Sequence, residues 1–342
     1  MRVLLTGHQG YLGSVMAPVL TAAGHEVIGL DSGLFASQVL GPAPVDPSGL
    51  AVDLRDVTEA QLASVGPLDA VAHLAALSND PLGSLAPQIT YDINHHASTR
   101  LAKLSKELGV TRFLYASTCS VYGAAGEELV GEDAPLRPVT PYAESKVRVE
   151  DDLVELADGD FSPVFLRNAT AFGASPRLRA DIVLNNLMGH AVLTGEIKVL
   201  SDGTPWRPLA HALDIAAAFL AALEAPRDSV HATAFNVGMA ENNVTVADIA
   251  ETVAEVVPGA TVNITGEAGN DPRSYRVDFA RITERLPQYK PEWTIRRGAE
   301  ELYEAYRKHG LTQESFTRSF TRLAHLSDRK AAGTLGDDLR PI

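Results

Sequence analysis

One cysteine, Cys119, stands in 342 residues, and that scarcity excludes an internal disulfide and a cysteine-rich metal site. Such a chain is expected in a reducing cytoplasm. Positive charge is also short: 29 Lys and Arg face 43 Asp and Glu, a net charge of -14. That field repels phosphate backbones and anionic lipid heads, so neither nucleic acid nor a membrane surface is an expected partner. A phosphate-bearing ligand would have to be held by a few local donors. No apolar run approaches the ~18 residues that a membrane-spanning helix needs. The opening MRVLLTGHQG lacks a signal peptide's apolar region and cleavage site, so secretion is not expected. Without secretion, the N-x-T triplets at Asn168, Asn243 and Asn263 read as chance matches to the glycosylation pattern. His95, His96, His190 and His211 show no ligand-like spacing, and no metal is expected. Internal repeats and low-complexity tracts do not stand out.

What is present is a regular alternation. RVLLTG reads as a buried strand and YLGSVMAPVLTAAG as a helix closed by Gly24. HEVIGLD, GLAVDLRD, LDAVAHLAA, TRFLYAST and FSPVFLRNAT read as further strands. Between them lie a long amphipathic stretch, ITYDINHHASTRLAKLSKELG, and the acidic-faced helix TPYAESKVRVEDDLVELA. Strands spaced by helices imply an α/β chain with a doubly wound parallel sheet. From Asn168 the regularity loosens, and turns such as GASPRLR and SDGTPWRP separate helices such as ALDIAAAFLAALEA. This half reads as a smaller lobe interleaved with the first. The stretch from Thr312 to Ile342 is charged and weakly patterned, and is expected to be a mobile or partner-contacting extension.

TGHQGYLG places Gly7, Gly10 and Gly13 where the first strand meets the first helix. Glycines there let the backbone turn tightly and approach a pyrophosphate seated on the helix N-terminus. Asp31 ends the second strand, where a carboxylate can hold adenosine ribose hydroxyls. No Arg or Lys lies between Asp31 and Arg55 to welcome a 2'-phosphate, which favours NAD over NADP. Asp53, ending the third strand, either reaches the adenine or is a surface carboxylate. Tyr142 and Lys146, four apart, share one helix face. A phenol with an ordinary pKa of ~10 is a poor base at neutral pH. An adjacent ammonium group and a cationic nicotinamide would favour its phenolate.

TGHQGYLG, VDLRD, VAHLAA, YDIN, YASTCSVYG and YAESK, in this order and spacing, resemble the extended short-chain dehydrogenase/reductases, in their NAD-dependent nucleotide-sugar epimerase/dehydratase branch. The resemblance runs from about residue 1 to 307. It implies a Rossmann-type fold in which residues 1–167 bind NAD and carry the catalytic group, residues 168–311 form mainly the substrate lobe, and residues 312–342 an extension. It implies that Thr118 completes a Thr-Tyr-Lys triad with Tyr142 and Lys146. Tyr11, Leu12, Leu54, Leu74, Ala75, Ala76, Asn94, Ser117 and Asn168 become expected cofactor positions beside the glycines and aspartates. Ser78, Cys119, Ser120, Asn168, Asn186, Arg207 and Arg273 become expected substrate positions. His73 matches the family pattern too, and a packed core histidine is an equal reading. The expected partners are a nucleotide-diphosphate sugar and a second copy of the chain.

The family's dehydratases resemble one another in an acidic pair directly after the triad Thr. Here Cys119 and Ser120 stand instead. That leaves 4-epimerisation as the expected reaction, with 4-keto reduction or 4,6-dehydration as alternatives. A non-catalytic NAD-sensing or scaffold protein is the alternative outside enzymes, disfavoured because Thr118, Tyr142 and Lys146 are all retained. Cys119 is either a proton donor or apolar filler.

Overall fold

A computed structural model describes residues 1–78, 86–124, 128–267 and 274–342. Seven strands form the main sheet: β1 (Arg2–Thr6), β2 (Glu26–Asp31), β3 (Gly49–Ala51), β4 (Ala70–His73), β5 (Arg112–Thr118), β7 (Ser162–Asn168) and β11 (Thr233–Val237). Their order is β11-β7-β5-β4-β1-β2-β3, and every pairing is parallel. Parallel strands need both faces covered, which is why VLL in β1 and AVAH in β4 are buried without alternation. The order reverses between β1 and β4. Ligands of such sheets bind at that switch point, outside the carboxyl ends of the strands.

Short sheets build the second lobe. β8 (Thr170–Phe172), β10 (Trp206–His211) and β12 (Asn243–Thr245) form one of them, and β9 (Glu196–Val199) pairs with β13 (Thr261–Ile264). β6 (Leu129–Val130) pairs with β14 (Arg276–Val277). The helices Val183–Thr194, Val246–Val256 and Ile295–Lys308 enclose a separate apolar core with Phe172, Leu209 and Phe316. The chain crosses between lobes more than once: Ile215 and Phe219 of the helix Ala212–Glu224 pack under the main sheet, which β11 then extends. No helix among the described residues is long and apolar enough to cross a membrane.

Thr312–Ile342 departs from expectation. It is folded against both lobes, with Phe316 and Phe320 in the second-lobe core and the remainder against the first lobe. The helix Arg322–Ala331 and the turn beyond it bring Leu326, Leu335 and Leu339 onto Leu77, with Leu34, Phe35 and Ile93 alongside. The tail's few leucines gain burial only from loops about 250 to 300 positions earlier, so their apolar role is invisible in a local window.

Candidate active site

The first turn of the site is built by glycine. Gly7 has φ +73°, and a Cβ there would come within 2.9 Å of the Ala75 nitrogen. At Gly13 a Cβ would overlap the Gly7 carbonyl. These two positions need glycine for distinct reasons, backbone hand and close approach. The turn delivers the chain into the helix Gly13–Ala22, whose N-terminus opens on the switch-point cleft. Asp31 holds the cleft's far wall. Its carboxylate accepts from the backbone N–H groups of Gln9 (3.0 Å) and Gly33 (2.9 Å), which fixes it against the glycine turn. Asp53 accepts from the backbone and guanidinium of Arg55, at 2.7 Å for the closest side-chain contact. Burial opposes its ionisation, but those bonds hold the carboxyl below the usual carboxylate range.

At β5 the chain ends in Thr118, whose side chain accepts from the Ser120 N–H (3.1 Å) and so caps the short 3-10 turn Cys119–Tyr122. Across from it runs the helix Pro141–Leu156. Thr140 caps it by accepting from the Ala143 N–H, and Pro141 suits the first helical position. Tyr142 and Lys146 thus lie on the first turns of a well-set helix. Lys146 is 2% exposed, donates to the Ala116 carbonyl at 2.7 Å, and has its Nζ 5.8 Å from the Tyr142 ring centroid. Burial pushes its ammonium down to about 7, partly offset by Glu150. His73 is a packed core residue: it bonds Thr6 (2.6 Å) and Ser98 (2.8 Å), and burial followed by the Lys146 charge lowers it to about 3.

Tyr142, Lys146 and Glu150 form one helix face, and Glu150 ties that face to the sheet. It accepts from Ser117 Oγ at 2.5 Å and pairs with Arg167 at 2.6 Å. Arg167 also donates to Tyr122 and to the Glu132 carbonyl, and Tyr122 donates to Asn236. Sequence reasoning missed this network, although the spacing of four from Lys146 to Glu150 was visible. It also left Arg179 unplaced, which borders the cleft, donates to Ser78 Oγ (3.1 Å) and pairs with Asp181 (2.9 Å). Nothing in the local sequence marks it.

The cleft holds about 1130 Å³ and gathers most of the expected residues. The cofactor expectations Gly7, Gly10, Tyr11, Leu12, Gly13, Asp31, Asp53, Leu54, Leu74, Ala75, Ala76, Ser117 and Asn168 border it, with Thr118, Tyr142 and Lys146. So do Ser78, Ser120, Asn186 and Arg207. Among the described residues, two expectations fall elsewhere. Asn94 is buried behind the wall, where its side chain bonds the Leu77 N–H (2.7 Å) and carbonyl (3.1 Å); it shapes the loop without facing the cleft. Cys119 is 1% exposed within the main core, and its thiol donates to the Arg167 carbonyl at 3.1 Å. Burial raises the Cys119 thiol far above its ordinary range, which disfavours loss of its proton. Arg273 lies outside the described residues. Cys119→Ala is accordingly expected to keep turnover within about threefold and to cost ~1–2 kcal/mol of stability in an unfolding titration. A loss of orders of magnitude in turnover would restore the thiol as an acid.

A dinucleotide suits this lining. Gly7 and Gly13 let the turn close tightly at the helix N-terminus, a carboxylate stands at the end of β2 (Asp31) and another just past β3 (Asp53), and Asn168 Oδ1 is a buried acceptor with no partner among the described residues. No group of three His, Cys, Asp or Glu suited to a metal ion occurs among the described residues.

Residues 3–238 match the model of the "NAD dependent epimerase/dehydratase family". A UDP-glucose 4-epimerase of Bacillus subtilis is 30% identical over 262 residues, which cover 70% of this chain and 77% of that one. UDP-glucuronic acid decarboxylase 1 of Arabidopsis thaliana is 25% identical over 323 residues, 92% of this chain and 72% of that one. Among solved structures, MoeE5 in complex with UDP-glucose and NAD superimposes with a TM-score of 0.77 at 26% identity, covering 91% of this chain and 100% of that one. TunA, an NAD-dependent NDP-hexosamine 5,6-dehydratase, gives a TM-score of 0.79 at 25% identity, covering 90% and 98%.

Proposed function

The chain belongs to the NAD-dependent epimerase/dehydratase family, and on that premise we propose that it is a nucleoside-diphosphate-hexose 4-epimerase working through a transient 4-keto sugar. One observation carries the choice of reaction. Directly after Thr118, the position that could hold an eliminating acid is occupied by Cys119, which faces the core, and Ser120 is the residue that borders the cleft. No carboxylate stands there. Chemistry that requires only the removal and return of one hydride and one proton is what this lining supports.

The glycine turn, Asp31 and Asp53 would hold NAD, which when bound would serve as a reversible hydride acceptor. Tyr142 accepts the proton of the C4 hydroxyl and later returns it. The Lys146 cation stabilises the phenolate, and Thr118 shares a hydrogen bond with the same hydroxyl. Arg179 lies within electrostatic reach of the Tyr142 phenol and adds to that stabilisation. Arg207 and Asn186 on the second lobe would receive the nucleotide and sugar, which turns over between hydride departure and return. The active species is proposed to be a cytoplasmic homodimer.

Purified protein is expected to carry NAD and to interconvert C4 epimers of a UDP-hexose with no net redox, followed by proton NMR. Stoichiometric consumption of added NADH, or a 4-keto-6-deoxy product, would sink the epimerase reading in favour of reduction or dehydration.

A further inference from the structure

Arg322 is the first residue of the tail helix, 5% exposed, and it borders the same cleft as the glycine turn. Its guanidinium carbon sits 4.0 Å from the centre of the Phe35 ring, which fixes its plane. Among the described residues its Nη1 has no hydrogen-bond partner. The two arginines nearby are already matched: Arg177 makes a two-pronged pair with Asp46 at 2.7 Å, and Arg179 pairs with Asp181. Among the described residues Arg322 has no such direct pair, although the charges of Asp181 and Asp31 act on it. It also sits at a helix N-terminus, whose partial positive charge disfavours a cation. Burial, and next the Arg179 charge, lower its guanidinium to about 9. A desolvated cation without a direct ion pair is costly unless an anion joins it.

The surrounding chain shows which anion. Arg322 lies against Phe35, in the loop after β2, and feels Asp31 at the end of β2. Leu339 of the same tail borders the cleft, and its neighbours Asp338 and Arg340 grip the β3 side. There Arg55, the partner of Asp53, donates to the Asp338 carbonyl at 2.8 Å, and Arg340 pairs with Asp56 at 2.7 Å. Arg329 donates to the Leu34 carbonyl at 3.2 Å. The tail therefore straps the adenosine half of the site, whereas Asn186 and Arg207 stand on the second lobe. We propose that the segment from Arg322 to Leu339 is a built part of the dinucleotide site: Arg322 donates to the cofactor's diphosphate and Leu339 covers its adenosine end. This rests on the cofactor assignment alone, whatever the reaction.

The test compares wild type with Arg322→Gln and with Arg322→Met, which keeps an apolar contact on Phe35. Dissociation constants for NAD, ADP-ribose, adenosine and UDP are measured by titration calorimetry or NMR, beside thermal melts with and without NAD. In both variants NAD and ADP-ribose are expected to weaken at least tenfold, with adenosine and UDP within twofold of wild type. The cofactor-free variants should melt no lower than wild type, and NAD should raise their melting temperature less. Unchanged NAD affinity would overturn the proposal. So would a matching loss for adenosine or a lowered cofactor-free melt, which mark a scaffold role, or a loss confined to UDP, which moves the contact to the sugar nucleotide. Wild-type protein with no affinity for NAD would remove the cofactor assignment and this proposal together.

Discussion

Tyr142→Phe is expected to lower epimerisation by about 1,000-fold, the mid-range of what a general acid–base group contributes, while the protein still binds NAD. The change deletes one hydroxyl and leaves the ring. Lys146 stays where it is because its ammonium is anchored on the Ala116 carbonyl, not on the phenol. The cap made by Thr140 on the Ala143 N–H is likewise independent of the phenol, so the helix start survives. Turnover is followed by NMR, and bound NAD by its absorbance after the protein is denatured. Activity near wild type would remove Tyr142 from the mechanism. Loss of NAD together with activity would make the phenol a binding group, not a base.

The second large effect concerns stability. Glu150 and Arg167 are both buried, with side-chain exposures of 6% and 7%, and they hold the helix Pro141–Leu156 to β5 and β7. Removing one partner strands the other charge in a low-dielectric interior. Glu150→Leu or Arg167→Met alone is therefore expected to cost about 3–5 kcal/mol in a urea titration. The double variant should recover a substantial part of that, because exchanging a whole buried pair for apolar residues is often neutral. In the double variant Ser117 loses Glu150 as its acceptor, and Tyr122 and the Glu132 carbonyl lose Arg167 as their donor, so recovery stays incomplete. Single variants within 1 kcal/mol of wild type would show that the pair is not what seats the helix.

Much of the site was readable from sequence because its parts obey local rules. A turn that must double back on itself needs glycine at Gly7 and Gly13, a strand end exposes Asp31, and a spacing of four sets Tyr142 beside Lys146 whatever the rest of the chain does. The alternation of strands and helices fixed the parallel sheet for the same reason. What tertiary structure decided depends on partners far away in the chain. Cys119 follows a strand end that bends into a 3-10 turn, so alternation no longer says which way a side chain points, and the thiol turned to the core. Glu150 found Arg167 across two strands. Arg322 reached a cleft whose glycine turn and Asp31 lie about 290 to 315 positions earlier. Charge and apolar character are written residue by residue, but whether a charge is paired, buried or aimed at a ligand is set only once the chain has closed around it.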